Sequence, residues 1–290
     1  MEICMNESRK KLTQSPISCF ADEIAVSLER QIAVLQELGI KWIELRSADG
    51  INVSAFTQEY ARTVKEKLDA AGIRVSAIGS PIGKISLADD FDVHMKTFTA
   101  IEHLADIFET PYIRMFSFYL PENRTPVSCR DVVLMRLEQM VAEAAKNGLI
   151  LLHENEKAIY GDTAQRCLDL MKTFAGQTFR CTFDFANFIE CGQDTLEAYH
   201  MLQPYIAYVH VKDAIRETRE IVPAGRGDGK LSEIFSLLDN SGYKGFLSLE
   251  PHLANFSGLN SLEKDAAIRA ENNTEKAFLA AYQALTQLLN

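Results

Sequence analysis

The chain lacks any apolar run as long as the roughly 18 to 20 residues that a membrane-spanning helix requires. Its first residues, 1–16, are polar and mixed in charge, without the apolar stretch of a secretory signal peptide. Basic residues are in the minority, with 30 Lys and Arg against 40 Asp and Glu and a net charge of -10. Because phosphate contacts need clustered lysine and arginine, we expect neither a nucleic-acid partner nor a membrane partner.

Closely spaced cysteine pairs are also absent. The six cysteines are scattered, at Cys4, Cys19, Cys129, Cys167, Cys181 and Cys191. None forms the Cys-x-x-Cys spacing of a zinc site or a redox dithiol, so we expect reduced, mostly buried thiols in a cytoplasmic protein. Apolar residues are plentiful: 47% of the 290 residues are hydrophobic and 24% are charged, which predicts a sizeable core and argues against disorder.

Short β-rich runs alternate with amphipathic helical patterns along the chain. Strands are predicted over 17–21, 41–46, 74–79, 112–119, 149–156, 179–185, 207–212 and 245–250. Helices are predicted over 28–38, 55–71, 91–108, 132–146, 164–174, 196–202, 231–240 and 275–289. Four predicted helices end in a glycine followed by an apolar residue, which is typical of a helix closed in the left-handed conformation before a strand.

Eight strand–helix units joined by short loops predict a parallel sheet of the α/β class. An open doubly wound sheet has the same alternation, but the first predicted turn carries no G-x-G-x-x-G, and eight units in this length match a closed (β/α)8 barrel. No linker or change in composition divides the chain. We therefore predict a single TIM-barrel domain over residues 1–290, with residues 1–14 as an N-terminal extension and 253–273 as a long loop before the last helix.

Each of the last four predicted strands ends in a potential metal ligand: Glu154, Asp184, His210 and Glu250. In a (β/α)8 barrel the carboxyl ends of the strands meet at one mouth, where catalytic groups lie. A carboxylate in an apolar strand is costly to bury unless it is paired or coordinated. Three carboxylates and one imidazole suit Mn, Mg or Co, with Zn as a further candidate. The alternative is that these residues cap helices or pair with rim lysines and arginines, but four in succession favour a metal site.

Side-chain alternation along strands adds three residues to this mouth. Glu156 shares the face of Glu154, and Lys212 shares the face of His210. Lys212 is expected to hold a substrate oxygen or, alternatively, to pair with a nearby carboxylate. Glu44 ends the second predicted strand and is expected to face inward as a further contact candidate.

Five segments together resemble the xylose-isomerase-like barrel superfamily, in its sugar phosphate isomerase/epimerase branch. They are Glu154-Asn155-Glu156, Asp184-Phe185-Ala186-Asn187, His210-Val211-Lys212-Asp213, Pro223-Ala224-Gly225-Arg226-Gly227-Asp228-Gly229 and Glu250-Pro251. The resemblance covers nearly the whole chain and implies one divalent metal held by Glu154, Asp184, His210 and Glu250. In the ketose 3-epimerases of this branch the two glutamates are also the acid/base pair, and proton transfer next to a ketose carbonyl passes through a cis-enediolate.

We therefore expect substrate contacts by Glu156 and Lys212 from side-chain alternation, and the resemblance adds Asn187 and Arg216. Family members often carry Asp-x-x-His after the sixth strand, whereas this chain has Asn187, which donates a hydrogen bond but cannot become cationic. Arg216 matches an arginine six residues beyond the metal histidine, with a plain surface arginine as the alternative.

The glycine-rich stretch 225–230 is not a P-loop, because Leu231 stands where a serine or threonine is required. Two interpretations are open. Its backbone N–H groups or Arg226 would meet a substrate phosphate or carboxylate, or the stretch is simply a tight entry to the seventh predicted helix.

The leading functional hypothesis is a divalent-metal-dependent sugar or sugar phosphate isomerase/epimerase acting on a small ketose or polyol-derived ketone. A dehydratase of the inosose or 3-dehydroshikimate type would share its early steps and then expel water. A DNA-repair endonuclease of the superfamily needs three metals and a histidine-rich site, which six histidines and an acidic balance disfavour. A non-catalytic sugar-binding barrel is the last alternative. Barrels of this group often associate, which leaves a homo-oligomer open.

Overall fold

The computed structural model describes residues 11–254 and 274–290. Most of the predicted loop 253–273 and the first ten residues of the predicted extension lie outside that part. The described end of the extension, Lys11–Gln14, forms a 3-10 helix. There Leu12 is buried and its N–H donates to the Asp239 carboxylate, so this segment packs against the barrel.

Eight parallel strands form a nearly closed barrel, which confirms the predicted single (β/α)8 fold. They are β1 (Ile17–Cys19), β2 (Trp42–Leu45), β3 (Arg74–Gly79), β4 (Tyr112–Met115), β5 (Ile150–Glu154), β6 (Phe179–Asp184), β7 (Ile206–Val211) and β8 (Phe246–Leu249). Their hydrogen-bonded order is β1-β8-β7-β6-β5-β4-β3-β2, and β1 and β2 are in contact at its two ends. The carboxyl ends of all eight strands therefore surround one mouth.

Nine helices occur in the described part of the chain, and eight of them correspond to predicted ones. They are α1 (Leu28–Leu38), α2 (Gln58–Ala70), α3 (Phe91–Ile107), α4 (Pro126–Lys146), α5 (Ala164–Phe174), α6 (Phe185–Glu190), α7 (Thr195–Leu202), α8 (Leu231–Asn240) and α9 (Thr274–Leu289). No helix among these residues is both long and apolar enough to cross a membrane.

The limits of α1, α5 and α8 agree with the sequence-based prediction, and among the elements whose limits differ, two have clear local reasons. Helix α4 begins at Pro126 rather than Val132, because Thr125 caps it by accepting the Ser128 N–H and proline suits the first helical turn. Strand β4 ends at Met115, since the Phe116 N–H donates to the Ile82 carbonyl in the loop after β3.

Helix α6 was not predicted. It follows β6 directly because the Asp184 carboxylate caps it, accepting the Asn187 N–H over 2.8 Å. The four glycines predicted to end helices all adopt positive φ, at Gly39, Gly72, Gly148 and Gly242, as the αβ-loop interpretation requires.

The barrel interior has a polar layer below the mouth. The Ser76 hydroxyl lies 2.6 Å from the Ser18 hydroxyl and 2.8 Å from the Tyr208 hydroxyl. All three side chains are buried and come from β3, β1 and β7. Apolar side chains fill the space between strands and helices, so the polar groups of the interior are concentrated beneath and within the mouth.

Candidate metal and active site

The structure brings the four predicted metal ligands together at the mouth. Glu154 ends β5, Asp184 ends β6, His210 lies near the end of β7, and Glu250 directly follows β8. Each is at most 3% exposed. One ligand atom from each lies within 4.8 Å of those of the other three. The cluster forms because the parallel register sets His210 opposite Asp184 on one side and next to the end of β8 on the other.

His210 Nδ1 faces all three carboxylates. It lies 3.1 Å from Glu154 Oε1, 3.5 Å from Glu250 Oε2 and 3.9 Å from Asp184 Oδ2. His210 Nδ1 and Asp184 Oδ2 are buried, and neither makes a hydrogen bond within the described residues. Three convergent carboxylate oxygens and one imidazole nitrogen are a donor set for Mn, Mg or Co, and Zn is also compatible. These residues therefore fit a divalent metal ion.

The other ring nitrogen of His210, Nε2, contacts the carboxylate of Glu44. His210 Nε2 lies 3.2 Å from Glu44 Oε1 and 3.1 Å from Glu44 Oε2. Glu44 is fully buried at the end of β2, as its predicted inward direction requires, and its Oε2 also accepts a hydrogen bond of 2.7 Å from Ser248 Oγ. The imidazole ring of His210 therefore lies between the Glu44 carboxylate at Nε2 and the three ligand carboxylates at Nδ1.

Two buried arginines hold the glutamates of the cluster from outside. Arg46, just after β2, donates from Nη1 to Glu250 Oε1 over 2.9 Å. Arg114, within β4, donates from Nη1 to Glu154 Oε2 over 3.1 Å. The sequence-based prediction missed both arginines. The signal was present, because a cation in an apolar strand is as costly to bury as a carboxylate.

Arg46 is the centre of a larger ion cluster. It binds Asp22 through Nε and Nη2 at 2.8 and 3.0 Å and Glu23 through Nη2 at 3.1 Å. His252 Nε2 lies 3.4 Å from Glu23 Oε1 and from Glu250 Oε1. Because cations and carboxylates alternate around Glu250, the negative charge of its Oε1 is offset by neighbouring cations of the protein.

The surrounding charges keep both glutamates ionised. Burial by itself raises the pKa of Glu154, but His210 and the Arg114 guanidinium outweigh burial and bring that pKa to about 2. Burial likewise acts to raise the pKa of Glu250, and the Lys212 ammonium is the first of the nearby cations that bring it well below its usual range. An ionised carboxylate is the form that binds a cation and accepts a proton.

Three of the four predicted substrate contacts line the mouth cavity, together with Arg46, Arg114 and Lys84. Lys212 Nζ lies 3.2 Å from Asp184 Oδ2 and 3.2 Å from Glu250 Oε2. Asn187 Nδ2 donates to Glu154 Oε1 over 3.1 Å. Glu156 accepts a 2.9 Å bond from Lys84 Nζ. Each of these predicted contacts is thus paired with another charged or ligand residue of the mouth.

The fourth, Arg216, lies apart from this cavity. Its backbone N–H donates to Asp228 Oδ2 over 2.7 Å, and its Nη2 donates to the Gln193 carbonyl over 2.9 Å. Arg216 is exposed and is not among the described residues that line the mouth. Its position is that of a rim residue.

The glycine-rich stretch folds around a carboxylate of the protein itself. Asp213 accepts N–H bonds of 2.9 Å from Gly225 and Gly227 on Oδ2 and from Gly229 and Ala214 on Oδ1. These N–H groups are therefore already used. This arrangement supports the interpretation of the stretch as a tight entry to α8 rather than as a cradle for a phosphate.

Comparisons with known proteins agree with this architecture. A model of the xylose isomerase-like TIM barrel family matches residues 32–277. A curated relative, 3-dehydroshikimate dehydratase of Bacillus anthracis, is 25% identical over 179 residues, or 61% of this chain. That match spans 63% of the relative's own length, less than two thirds of it.

Two solved structures illustrate the shared fold. L-ribulose 3-epimerase superposes with a TM-score of 0.75 at 18% identity, covering 95% of this chain and 94% of its own. The IOLI protein with a bound zinc atom superposes with a TM-score of 0.73 at 14% identity, covering 94% of this chain and 98% of its own. Since the family model spans most of its length, the chain belongs to the xylose isomerase-like TIM barrel family.

Proposed function

We propose that this protein is a divalent-metal-dependent isomerase or epimerase of a sugar or sugar phosphate. Glu154, Asp184, His210 and Glu250 would hold the ion, with Mn, Mg or Co favoured because the set is rich in oxygen. The observation that carries the proposal is the pair of ionised glutamates that reach His210 Nδ1 from two different strand ends, at 3.1 and 3.5 Å. The chemistry that such an ion supplies when bound is polarisation of the ketose carbonyl and stabilisation of a cis-enediolate.

The two glutamates are proposed as the acid/base pair, and each has two differently placed oxygens. Glu154 Oε1 and Glu250 Oε2 face His210 Nδ1, as metal ligands would. Glu154 Oε2 and Glu250 Oε1 face outward, where one arginine donates to each. A carboxylate oxygen that accepts one hydrogen bond still has a lone pair free. One outer oxygen would take the proton from the carbon next to the carbonyl, and the other would return one.

Substrate oxygens would be bound by Glu156, Asn187 and Lys212 at the mouth. Lys212 donates toward the ligand carboxylates, so its ammonium stands next to the place where a substrate oxygen would meet the ion. Asn187 contacts Glu154 and would orient its inner oxygen. Arg216 is proposed only as a rim contact, because its guanidinium is bound to the Gln193 carbonyl.

A dehydratase is the second candidate, and two observations favour it. The curated relative carries the name 3-dehydroshikimate dehydratase. Several cations line the mouth, and among them Lys84, Arg114 and Lys212 would suit a keto acid substrate. In that reaction the same proton abstraction is followed by loss of the β-hydroxyl as water.

Solvent-proton exchange tests the shared first step. Purified protein with Mn is incubated in deuterated water with a panel of ketoses, inososes and keto acids, and exchange next to the carbonyl is followed by NMR. Glu154→Gln and Glu250→Gln should lower exchange by at least about 100-fold, since each removes a proton-transfer group. Glu66→Gln, on the exposed face of α2, is the matched control and should exchange as the wild type does.

The reaction products separate the two candidates. Exchange with recovery of an epimer or isomer supports the isomerase, whereas a new conjugated chromophore supports the dehydratase. Wild-type exchange in the folded Glu154→Gln and Glu250→Gln variants would overturn the acid/base assignment. A wild-type protein that binds no divalent metal, even when the metal is in large excess, would overturn the proposed function as a whole.

A further inference from the structure

Glu44 has no role in the function proposed above, yet its carboxylate contacts the imidazole of His210, the one histidine among the four proposed metal ligands. Both of its oxygens lie within 3.2 Å of His210 Nε2, and its side chain is 0% exposed. Its Oε2 also accepts the Ser248 hydroxyl over 2.7 Å. A carboxylate this deeply buried needs such partners, because desolvation of an unpaired charge is costly.

The contact bears on the tautomer of His210. A neutral imidazole protonates one nitrogen and leaves a lone pair on the other. When a divalent cation takes the lone pair of Nδ1, the proton of the neutral ring stays on Nε2, where the Glu44 carboxylate accepts it. Nδ1 is the nitrogen that faces Glu154, Asp184 and Glu250 and makes no hydrogen bond within the described residues.

We infer that Glu44 is a positioning residue that holds His210 in the Nε2–H tautomer and in the ring orientation that offers Nδ1 to a divalent cation. The inference rests on the proposed function, in which His210 is a metal ligand. Ser248 supports the position of Glu44 in turn, because its hydroxyl donates a hydrogen bond to Glu44 Oε2. Carboxylates that accept the second N–H of a ligating histidine orient the ring and raise its basicity.

The opposite arrangement has a distinct signature. If Glu44 were protonated, it would donate to Nε2, and His210 would carry its proton on Nδ1, directed at Glu154 Oε1 only 3.1 Å away. That tautomer has no lone pair for a cation on Nδ1. In the metal-loaded protein the two cases differ in the nitrogen that carries the proton, so they can be distinguished without any activity measurement.

The test uses the full-length protein and two variants, Glu44→Gln and Ser248→Ala. Glutamine keeps the shape, removes the charge and adds an NH₂ group that can donate to Nε2, which stabilises the other tautomer. Calorimetric titration with Mn alone should show one ion per wild-type chain and an affinity about 10- to 100-fold weaker for Glu44→Gln. Ser248→Ala should weaken Mn binding by a few-fold.

Glu156→Gln is the matched control for metal affinity. It removes the same charge from the same mouth, but Glu156 bonds to Lys84 rather than to a ligand, so Mn affinity should change by no more than a few-fold. Long-range ¹⁵N NMR of the protein saturated with diamagnetic Mg, with His210 assigned through His210→Gln, should show Nε2 protonated in the wild type and a population shifted toward Nδ1–H in Glu44→Gln.

Each outcome separates this inference from the proposed function. Wild-type Mn affinity and an unchanged tautomer in folded Glu44→Gln would overturn the positioning role while the metal site stands. A wild type that binds no Mn would instead overturn the proposed function. If circular dichroism shows that Glu44→Gln does not fold, the Mn affinity of Ser248→Ala and the tautomer of the metal-loaded wild type decide. A proton on Nδ1 in the metal-loaded wild type would overturn the inference.

Discussion

Arg46 donates to Glu250 over 2.9 Å although the two residues are 204 positions apart in the chain. Arg46 is 2% exposed and also binds Asp22 and Glu23, so one guanidinium offsets three carboxylates at the mouth. Five N–H donors in a rigid fork allow arginine to do this, whereas lysine could not match the geometry. The relationship ties the start of the barrel, after β1 and β2, to its last strand.

Replacing this arginine should be costly. Arg46→Gln removes the guanidinium that three buried carboxylates share, and breaking a buried ion pair from one side costs about 3 to 5 kcal/mol. Denaturant unfolding measures the loss. Arg30→Gln is the matched control and should leave stability nearly unchanged, since the side chain of Arg30 is 43% exposed and its pair with Glu275 is screened by solvent. Equal stability of the two variants would contradict the role assigned to the Arg46 cluster.

The close packing of the glycine-rich stretch around Asp213 leads to a second prediction. A Cβ on Gly227 would lie 2.4 Å from the Ala214 carbonyl oxygen and 2.5 Å from Asp213 Oδ1. Because the first of these atoms is backbone, Gly227→Ala should lower the free energy of unfolding by about 1 to 3 kcal/mol. Gly176→Ala meets its nearest atom at 3.9 Å and should change stability by less than about 0.5 kcal/mol. A Gly227→Ala protein as stable as Gly176→Ala would show that the loop is not held against Asp213.

The buried position of His94 predicts that the free energy of unfolding falls as the pH is lowered. Its Nε2 accepts the Gly83 N–H over 2.9 Å, and burial, with the Arg136 charge adding, lowers its pKa from 6.5 to about 4. Between these two pH values the unfolded chain binds a proton that the folded protein does not, so this contribution is present above pH 6.5 and is lost as the pH falls toward 4. The full contribution is about 3 kcal/mol.

Urea unfolding across that pH window measures the effect as a difference between variants. His94→Gln cannot take up the proton, so the slope of its unfolding free energy against pH should be shallower than that of the wild type. His103→Gln, on the exposed face of the same helix, should keep the wild-type slope. Identical slopes in all three proteins would contradict the buried, neutral state of His94.

Much of the fold was predictable because its signals are local. The limits of α1, α5 and α8 follow from helical periodicity and from end signals carried by the adjacent residues. The four candidate ligands were recognisable because each is a polar residue at the end of an apolar strand. Once eight parallel strands close into a barrel, the ends of consecutive strands meet, so these four residues could be placed together before any coordinates were known.

Pairings between distant residues were decided only by the tertiary structure. Glu44 and His210 are 166 positions apart, and Arg46 and Glu250 are 204 apart, so no local pattern shows which charge meets which. The same holds for Arg216 and for the glycine-rich stretch, whose hydrogen bonds go to the Gln193 carbonyl and to Asp213. By itself the amino-acid sequence determined the eight strands, eight of the nine described α-helices and the ligand types. The closed barrel decided their partners, because strand register and burial bring together charges that the chain keeps far apart.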